Sequence, residues 1–148
     1  MKWLVASGAA ATINPGTPTK FSSAGAIVPM VDGNGTTSER FTGIAKTTST
    51  DTAAAAGEVY TFVPLPGLIY AAAAKSSTGA NTQAKIDALL AQRSVLDLTG
   101  TVGPGLTGKW TVDAAGGDGA NNAVIIIGGE YQTNTLYFSY LYGATFFE

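Results

Sequence analysis

The chain contains neither cysteine nor histidine. The missing cysteines exclude disulfide bonds and thiolate nucleophiles, and the two absences together exclude Cys/His zinc sites and imidazole general bases. We therefore expect no metal site and no bound cofactor. The stability of the protein must come from packing and from any partner that it binds.

Charged residues are also scarce. Asp, Glu, Lys and Arg make up only 12% of the 148 residues, against about 25% in an average globular protein. Hydrophobic residues supply 45%, and the formal net charge is -2. Because solubility depends on interspersed charge, we expect much of the surface to contact other protein, in an oligomer or a larger assembly. The alternative is a monomer whose surface is covered by Thr, Ser and Gly.

The basic residues are scattered singly and form no cluster. Nucleic acid binding requires clustered Lys and Arg, so no nucleic acid partner is predicted. Long apolar runs are also missing, since none approaches the ~18–20 residues that a transmembrane helix needs. The apolar stretch from Trp3 to Ala6 is shorter than the ~7–15 residue core of a secretory signal. The sequence therefore predicts neither a signal peptide nor a membrane partner.

Short apolar runs alternate with turn signals of Gly, Pro and Asp along most of the chain, which is typical of β-structure. The length of 148 residues fits one domain. We predict a mainly β fold, a compact and partly open barrel or sandwich of roughly seven to nine short strands. A turn is expected at 128–131. The predicted strands are 26–31, 41–46, 57–63, 68–74, 95–98, 109–112, 123–127 and 133–142.

One segment has the pattern of a helix. Residues 81–92 read NTQAKIDALLAQ, and Asn81 is a favourable N-cap residue. Ile86, Leu89 and Leu90 fall on one stripe at helical spacing. We expect this short helix to pack one face on the sheet.

Residues 1–20 are predicted to form an extended N-terminal arm, and residues 21–148 a single β-rich domain. Most of the arm is small, polar and interrupted by Pro, a composition that buries little apolar area. Trp3, Leu4 and Val5 give its tip an apolar segment suited to strand addition on a neighbouring sheet. Two interpretations stay open. Either these three residues contact a partner, or they form the first strand of the protein's own sheet.

Two parts of the chain carry a family resemblance. The segments IVPMVDGNG and ERFTGIAKTTSTDTAAAAGEVYTFVPLPGLIYAAAA contain a short apolar run, a Gly-rich turn, the tripeptide Gly43-Ile44-Ala45, a small-residue spacer and a Pro-bounded strand. The segment IIIGGEYQTNTLYF follows from Ile125 to Phe138. Together they resemble the capsid decoration, or cement, proteins of tailed double-stranded DNA bacteriophages.

The resemblance implies a structural virion protein that binds the outer surface of a phage capsid and stabilises it by bridging capsomers. It implies a compact β fold, a homotrimer, and synthesis in the host cytoplasm before attachment to the virion. In the family an N-terminal arm contacts the major capsid protein. By that likeness, Trp3, Leu4 and Val5 would be the residues that contact the capsid.

Aromatic residues are concentrated near the C-terminus, where seven of the twelve Phe and Tyr residues follow position 130. Aromatic side chains are enriched at protein interfaces. On the 57–63 strand, large side chains on both faces predict cover on both faces. One of these faces is expected to pack on the protein's own core, and the other on a helix, the arm or a neighbouring subunit. For the C-terminal aromatic residues the alternative is the protein's own core, which is favoured for Leu136 and Phe138. The predicted subunit-interface residues are Tyr60, Phe62, Tyr140, Tyr142, Phe146 and Phe147.

Three features resemble ligand-binding or catalytic motifs, and none is complete. Gly103 to Lys109 matches a P-loop, but Trp110 stands where Ser or Thr must hold magnesium, and the context indicates a strand. The segments 32–36 and 116–119 resemble calcium loops but fit hairpin turns better. A glycosidase needs only two carboxylates, yet those available are expected on solvated turns or strand edges, so no enzyme activity is predicted. These carboxylates are Asp51, Glu58, Asp97, Asp113 and Glu130.

Two other functional classes stay open. A surface-exposed binding module, such as a fibre, adhesin or carbohydrate-binding domain, would group aromatic residues on a solvent-facing surface. A hydrolase of β architecture would require two carboxylates that converge in a cleft.

Overall fold

A computed structural model of the chain describes residues 1–5, 12–22, 25–30, 41–50, 57–63, 65, 67–75, 78–99, 109–115 and 122–141. Within these residues the fold is mainly β with one short helix, as the sequence predicts. In chain order the elements are β1 (Lys2–Leu4), β2 (Thr12–Ile13), β3 (Pro18–Phe21), β4 (Ile27–Pro29), β5 (Phe41–Ala45), β6 (Ser49–Thr50), β7 (Glu58–Phe62), β8 (Tyr70–Ala74), α1 (Gln83–Leu89), β9 (Arg93–Thr99), β10 (Lys109–Asp113), β11 (Val124–Glu130) and β12 (Thr135–Tyr140).

The first sheet has five strands in the order β1-β7-β5-β3-β4, and each neighbouring pair is antiparallel. Its two outer strands meet at one point, where Val5 and Ile27 form a parallel bridge. The sheet is therefore curled almost to closure. A separate antiparallel pair, β2 and β6, contributes Ile13 to the core of this half.

The second sheet is a closed barrel with the order β10-β8-β12-β11-β9. Its seam between β8 and β10 is parallel and short, since the register pairs only Thr111 with Ala73 and Val112 with Ala74. The other neighbouring pairs are antiparallel. The partly open element that the sequence predicts is thus the first sheet, whereas the barrel is complete.

Alternating apolar residues fill the barrel, because successive side chains of a strand point to opposite faces. On β12 the alternation places Leu136, Phe138 and Tyr140 inside. Val124 and Ile126 of β11 face them and are fully buried. The run of β-branched residues therefore supplies the barrel core.

Strand β11 continues past the position where the sequence predicts a turn. It passes through Gly129 to Glu130, and the chain reverses at residues 131–134 instead. A Cβ atom on Gly129 would lie 2.7 Å from the Thr135 carbonyl oxygen. Close backbone approach between β11 and β12, and not a reversal of the chain, thus accounts for the glycine at this position.

The helix is shorter than the sequence indicates and begins one residue later. Thr82 is the N-cap, because its hydroxyl accepts a hydrogen bond from the Lys85 amide at 3.3 Å. Ile86 is buried against β11 and Leu89 is half-buried, as the stripe predicts. Leu90 lies beyond the last helical turn and is 47% exposed.

The residues predicted as an arm are extended in backbone conformation, but β1, β2 and β3 all pair with strands of this same chain. These strands, together with β6, bring the described total to twelve, above the predicted seven to nine. Small polar residues can order in this way because their backbone groups are satisfied by neighbouring strands. Composition alone does not reveal such pairing.

Candidate protein-binding surface

Strand β7 separates a buried face from an exposed one. Val59 and Thr61 lie on the buried face of the first sheet, with 0% and 4% of their surfaces exposed. Tyr60 and Phe62 point the other way and are 48% and 55% exposed. The sequence predicts cover on both faces of this strand, and within the described residues only one face is covered.

Strand β1 extends the exposed face. Leu4 pairs with Glu58 of β7, so their side chains share the face of Tyr60 and Phe62. Leu4 is 60% exposed. We call the surface formed by Leu4, Tyr60 and Phe62 the β1–β7 face. It presents three large apolar side chains on two adjacent strands.

Charged residues border the β1–β7 face. Lys2 forms an ion pair with Glu58 at 2.8 Å, and the hydrogen bond to that carboxylate raises the pKa of Lys2. On the other side, the Lys46 ammonium lies 5.9 Å from the centroid of the Phe62 ring, within the range of a cation–π interaction. An apolar centre with a charged rim is the usual composition of a protein interface.

The chain that follows β7 is also apolar and exposed. Leu65, Leu68 and Ile69 are 56%, 41% and 66% exposed. The Leu68 amide donates to the Leu65 carbonyl at 3.1 Å, which closes a turn. We call this segment the 65–69 turn. A hydrophobic turn directly after a strand with exposed aromatic residues indicates a surface suited to contact with another molecule.

The outer edge of β1 adjoins a groove. The Val5 amide donates to the Gly57 carbonyl at 2.8 Å, and alternate residues of a strand direct their peptide groups to opposite sides. The peptide groups of Lys2 and Leu4 therefore point away from β7. The groove has a volume of about 530 Å³ and is lined by Lys2, Trp3, Leu4, Phe21, Gly25 and Ala26.

The three residues predicted to contact the capsid differ in their positions. Trp3 is half-buried, packs edge-on against Phe21 at 5.3 Å and donates from its indole nitrogen to the Thr61 hydroxyl at 2.9 Å. Val5 is 1% exposed in the core of the first sheet. The structure agrees with the second of the two interpretations, in which these residues begin the first strand of the protein's own sheet. Leu4 alone of the three is largely open to solvent.

The residues predicted at a subunit interface also lie in different parts of the structure. Tyr60 and Phe62 lie together on the β1–β7 face. Tyr140 is 8% exposed and lies in the barrel core, which corrects its expected place on a contact surface. The reason is that Tyr140 points to the same inner face of β12 as Leu136. Tyr142, Phe146 and Phe147 lie outside the described residues.

The 65–69 turn lies partly where the sequence predicts a strand. Leu68 and Ile69 fall within the predicted 68–74 strand, whereas β8 begins at Tyr70. The available signal was the pair of prolines at positions 64 and 66, which interrupts the apolar run. Prolines on both sides of Leu65 favour a turn, and in a turn apolar side chains have no neighbouring strand to cover them.

The structure bears on several of the incomplete motifs. Lys109 begins strand β10 and not a helix, which is incompatible with a P-loop. The calcium-loop segments lie outside the described residues. Among the residues that are described, no group of three His, Cys, Asp or Glu side chains is placed to hold a metal ion. The α1 helix is too short to cross a membrane, and no other helix lies in the described part of the chain.

One expectation about the carboxylates is wrong. Asp97 was expected on a solvated turn or strand edge, but it lies within β9 and is 8% exposed. Asp113 lies on the neighbouring strand β10, and both carboxylates contact Lys75.

In comparisons with known proteins, no protein-family model matches the chain, and no curated protein and no solved structure matches it.

Proposed function

We propose that this protein is a structural component of a phage virion that binds the outer capsid surface and stabilises the shell by bridging capsomers. The β1–β7 face carries this proposal. It supplies exposed apolar area at the N-terminal strand, in a chain whose few charges suit it to assembly. The likeness to capsid decoration proteins supports the same function, with the major capsid protein as partner and a homotrimer as the assembled form.

The free energy available from the β1–β7 face, compared with the cost of association, favours binding in many copies. Full burial of a large apolar side chain contributes about 1.5–3 kcal/mol. Since Leu4, Tyr60 and Phe62 are already about half buried, covering them would contribute roughly 2–5 kcal/mol in total. Association costs about 4–15 kcal/mol in lost translational and rotational freedom. One face on one copy would therefore bind weakly, and self-association or the 65–69 turn must add contact area.

Weak single contacts are compatible with stabilising a shell. A ligand that binds the assembled shell and not its separated subunits stabilises the shell by RT ln(1 + [L]/Kd) at each site. Many sites on one shell add their contributions. This mechanism requires contact area and no reactive group.

The test uses expanded heads of the phage that encodes the chain, prepared without their decoration protein. Purified protein is added, and the bound amount is measured by sedimentation. We expect saturable binding with a fixed number of copies per head and a higher temperature of head disruption. A chain that stays monomeric and leaves the heads unbound at micromolar concentration would contradict the proposal.

A variant pair locates the contact. Replacing both Tyr60 and Phe62 by Ser should weaken binding by at least about tenfold, which corresponds to ~1.4 kcal/mol. Tyr131→Ser is the matched control, because Tyr131 is 41% exposed and lies at the β11–β12 turn of the barrel. Equal loss of binding in both variants would show that the β1–β7 face is not the contact.

A second function is favoured by one observation. Tyr60 and Phe62 are grouped on a solvent-facing strand, which is the arrangement expected of a carbohydrate-binding module. Titration of the protein with host surface polysaccharide, followed by intrinsic fluorescence, tests this function. Saturable binding that the Tyr60/Phe62 double variant loses, together with no binding to heads, would favour the binding module over the capsid protein.

A further inference from the structure

A lysine and two aspartates meet across three neighbouring strands of the barrel. Lys75 directly follows β8, Asp113 ends β10 and Asp97 lies within β9. Strand β10 pairs with β8 on one side and with β9 on the other. The Lys75 side chain therefore reaches across β10. Its Nζ lies 2.8 Å from Asp113 Oδ2 and also contacts Asp97 Oδ2.

The register places these groups on the outer face of the barrel. Asp97 pairs with Thr111, and Asp113 lies two residues further along the same face. The intervening Val112 is fully buried in the core. Despite their outward direction, the side chains of Asp97 and Asp113 are only 11% and 18% exposed, and that of Lys75 is 34% exposed. The two carboxylates are thus largely shielded from water, while the amine that contacts both of them is about one third exposed.

The Asp113 carboxylate is fixed at both oxygens. Its Oδ1 accepts a hydrogen bond from the Ala115 amide at 2.9 Å, while Oδ2 accepts one from Lys75. Burial acts to raise the pKa of Asp113, but the hydrogen bonds from Lys75 and the Ala115 amide lower it overall. Asp113 is therefore an ionised and well-oriented group beside the amine.

We propose that Lys75 and Asp97 form an intramolecular isopeptide bond, with Asp113 as the group that transfers the protons. An amine that contacts both an acceptor carboxyl and a second carboxyl supplies, with them, all the atoms that this condensation requires. The reaction needs no oxidant and no cofactor. It is independent of the proposed capsid function.

The Lys75 ammonium transfers a proton to Asp113, which passes it to a carboxylate oxygen of Asp97. The neutral amine attacks Asp97 Cγ, and a C–N bond forms. Asp113 then takes a second proton from the nitrogen and delivers it to the hydroxyl that leaves Cγ, so that the C–O bond breaks and water departs. The products are an amide, one water molecule and an Asp113 carboxylate, and the net charge of the site is unchanged.

The Lys75 amine must lose a proton before it can attack. Hydrogen bonds to Asp113 and then to Asp97 raise the pKa of Lys75, so the resting amine is an ammonium. Since only the neutral amine is a nucleophile, the contact with Asp113 is required to remove its proton. Asp97 is the acceptor because its side chain is the less exposed of the two, 11% against 18% for Asp113.

The bond would close one of the two shortest seams of the barrel, since the β8–β10 and β9–β11 ladders each pair only two residues in register. The parallel ladder between β8 and β10 is short, and a covalent link from β8 to β9 spans it. A cross-link between residues 75 and 97 also restricts the unfolded chain. It would resist opening of the barrel where hydrogen bonds alone are few.

Intact-mass spectrometry of the purified full chain tests the proposal. We expect a mass below the sequence value by one water molecule, both before and after reduction and denaturation. A mass equal to the sequence value, as purified and after extended incubation at room temperature, overturns the proposal and leaves Lys75 as an ion-pair partner only.

Peptide mapping identifies the acceptor. Trypsin should fail to cleave after Lys75, and the peptide that contains it should be joined to residues 94–109, which carry Asp97. A join to residues 110–148, which carry Asp113, would overturn the assignment of Asp97. This mapping uses the unaltered protein, so it does not depend on the folding of any variant.

Three variants define the roles. Lys75→Arg keeps a positive charge between the two carboxylates but cannot form the bond, and its mass should equal its sequence value. Asp113→Asn should also remain at its sequence mass, because it lacks the proton-transfer group. Lys85→Arg, at an exposed helix position, is the matched control and should still lose one water. If all of the Asp113→Asn protein has a mass one water molecule below its sequence value, Asp113 has no part in the mechanism.

Discussion

Phe41 and Tyr140 stack face to face, with ring centroids 3.7 Å apart and planes inclined by 11°. Phe41 begins β5 of the first sheet, and Tyr140 ends β12 of the barrel. Tyr70 and Phe138 add edge-on contacts to Tyr140 at 5.4 Å and 5.9 Å. The two halves of the protein therefore share one aromatic core, although their strands belong to different sheets.

Phe41→Ala should lower the free energy of unfolding by about 3–5 kcal/mol, because it leaves a cavity between the two halves. Phe41 is fully buried. The control is Phe62→Ala, which removes the same ring from a site that is 55% exposed and should change stability by less than about 0.5 kcal/mol. Urea unfolding of both variants gives the comparison. Similar losses would mean that the stack does not join the halves.

Tyr140→Phe should raise the free energy of unfolding by about 1 kcal/mol. The Tyr140 hydroxyl is buried and has no hydrogen-bond partner among the described residues. Replacement by Phe keeps the stack and removes an unsatisfied polar group. Thermal unfolding at neutral pH measures the change, with the exposed Tyr131→Phe as control. A lower Tm for Tyr140→Phe would indicate that the hydroxyl is bonded after all.

The same residue should govern unfolding at alkaline pH. Burial, with a smaller contribution from Tyr70, raises the pKa of Tyr140 well above its ordinary value of 10.0. The folded state therefore holds this proton more tightly than the unfolded state does. Its contribution to stability is complete below pH ~10 and is lost as the pH rises towards the folded pKa. Above pH ~10 the stability of the Tyr140→Phe variant should fall less steeply with rising pH than that of the parent protein. A pH titration followed by circular dichroism measures the difference. Burial also raises the pKa of Tyr70, so part of the pH dependence of stability should remain in the variant.

Gly43→Ala should lower the free energy of unfolding by more than about 2 kcal/mol. Gly43 has φ of +138°, and an added Cβ would lie 2.2 Å from the Phe62 carbonyl oxygen. That contact is with backbone, so β5 and β7 would have to separate. The control is Gly128→Ala, where the nearest atom is a Tyr137 side-chain carbon at 3.5 Å, with an expected loss below about 1 kcal/mol. Equal Tm values for the two variants would contradict the close approach of β5 and β7.

Val5→Ala and Leu4→Ala test whether the N-terminus is a strand or an arm. Val5 is 1% exposed and Leu4 is 60% exposed. Val5→Ala should cost about 2 kcal/mol through lost burial and a residual cavity, while Leu4→Ala should leave stability within about 0.5 kcal/mol. Leu4→Ala should instead weaken binding to phage heads. If Val5→Ala unfolds at the same urea concentration as the parent, the first strand does not contribute to the fold in solution.

Much of the β-structure follows from short-range pattern. The stretches around β5, β7 and β12 are short segments rich in apolar and β-branched residues, and the structure has strands there within one or two residues of the predicted limits. The helix was also predictable, because no other stretch combines helix-forming residues with apolar positions at helical spacing. Its shorter length follows from the chain reversal at Ala91, whose φ is 63°. No residue type at that position signals this reversal.

The candidate surface was less predictable. Tyr60, Phe62 and Tyr140 look alike in sequence, since each alternates along a strand with other large residues. Tyr140 is covered because Phe41 packs on it from a strand 99 residues earlier in the chain. Tyr60 and Phe62 are open because no described element packs over that end of the first sheet.

Composition and alternation were enough to establish a β fold with one short helix and without cysteine or histidine chemistry, because these depend on local residue types. Which aromatic rings are buried, the pairing of the N-terminal strand within its own sheet, and the meeting of Lys75 with Asp97 and Asp113 come from the three-dimensional arrangement alone. Each of these joins residues far apart in the chain, and strand order is set by the packing of the whole molecule.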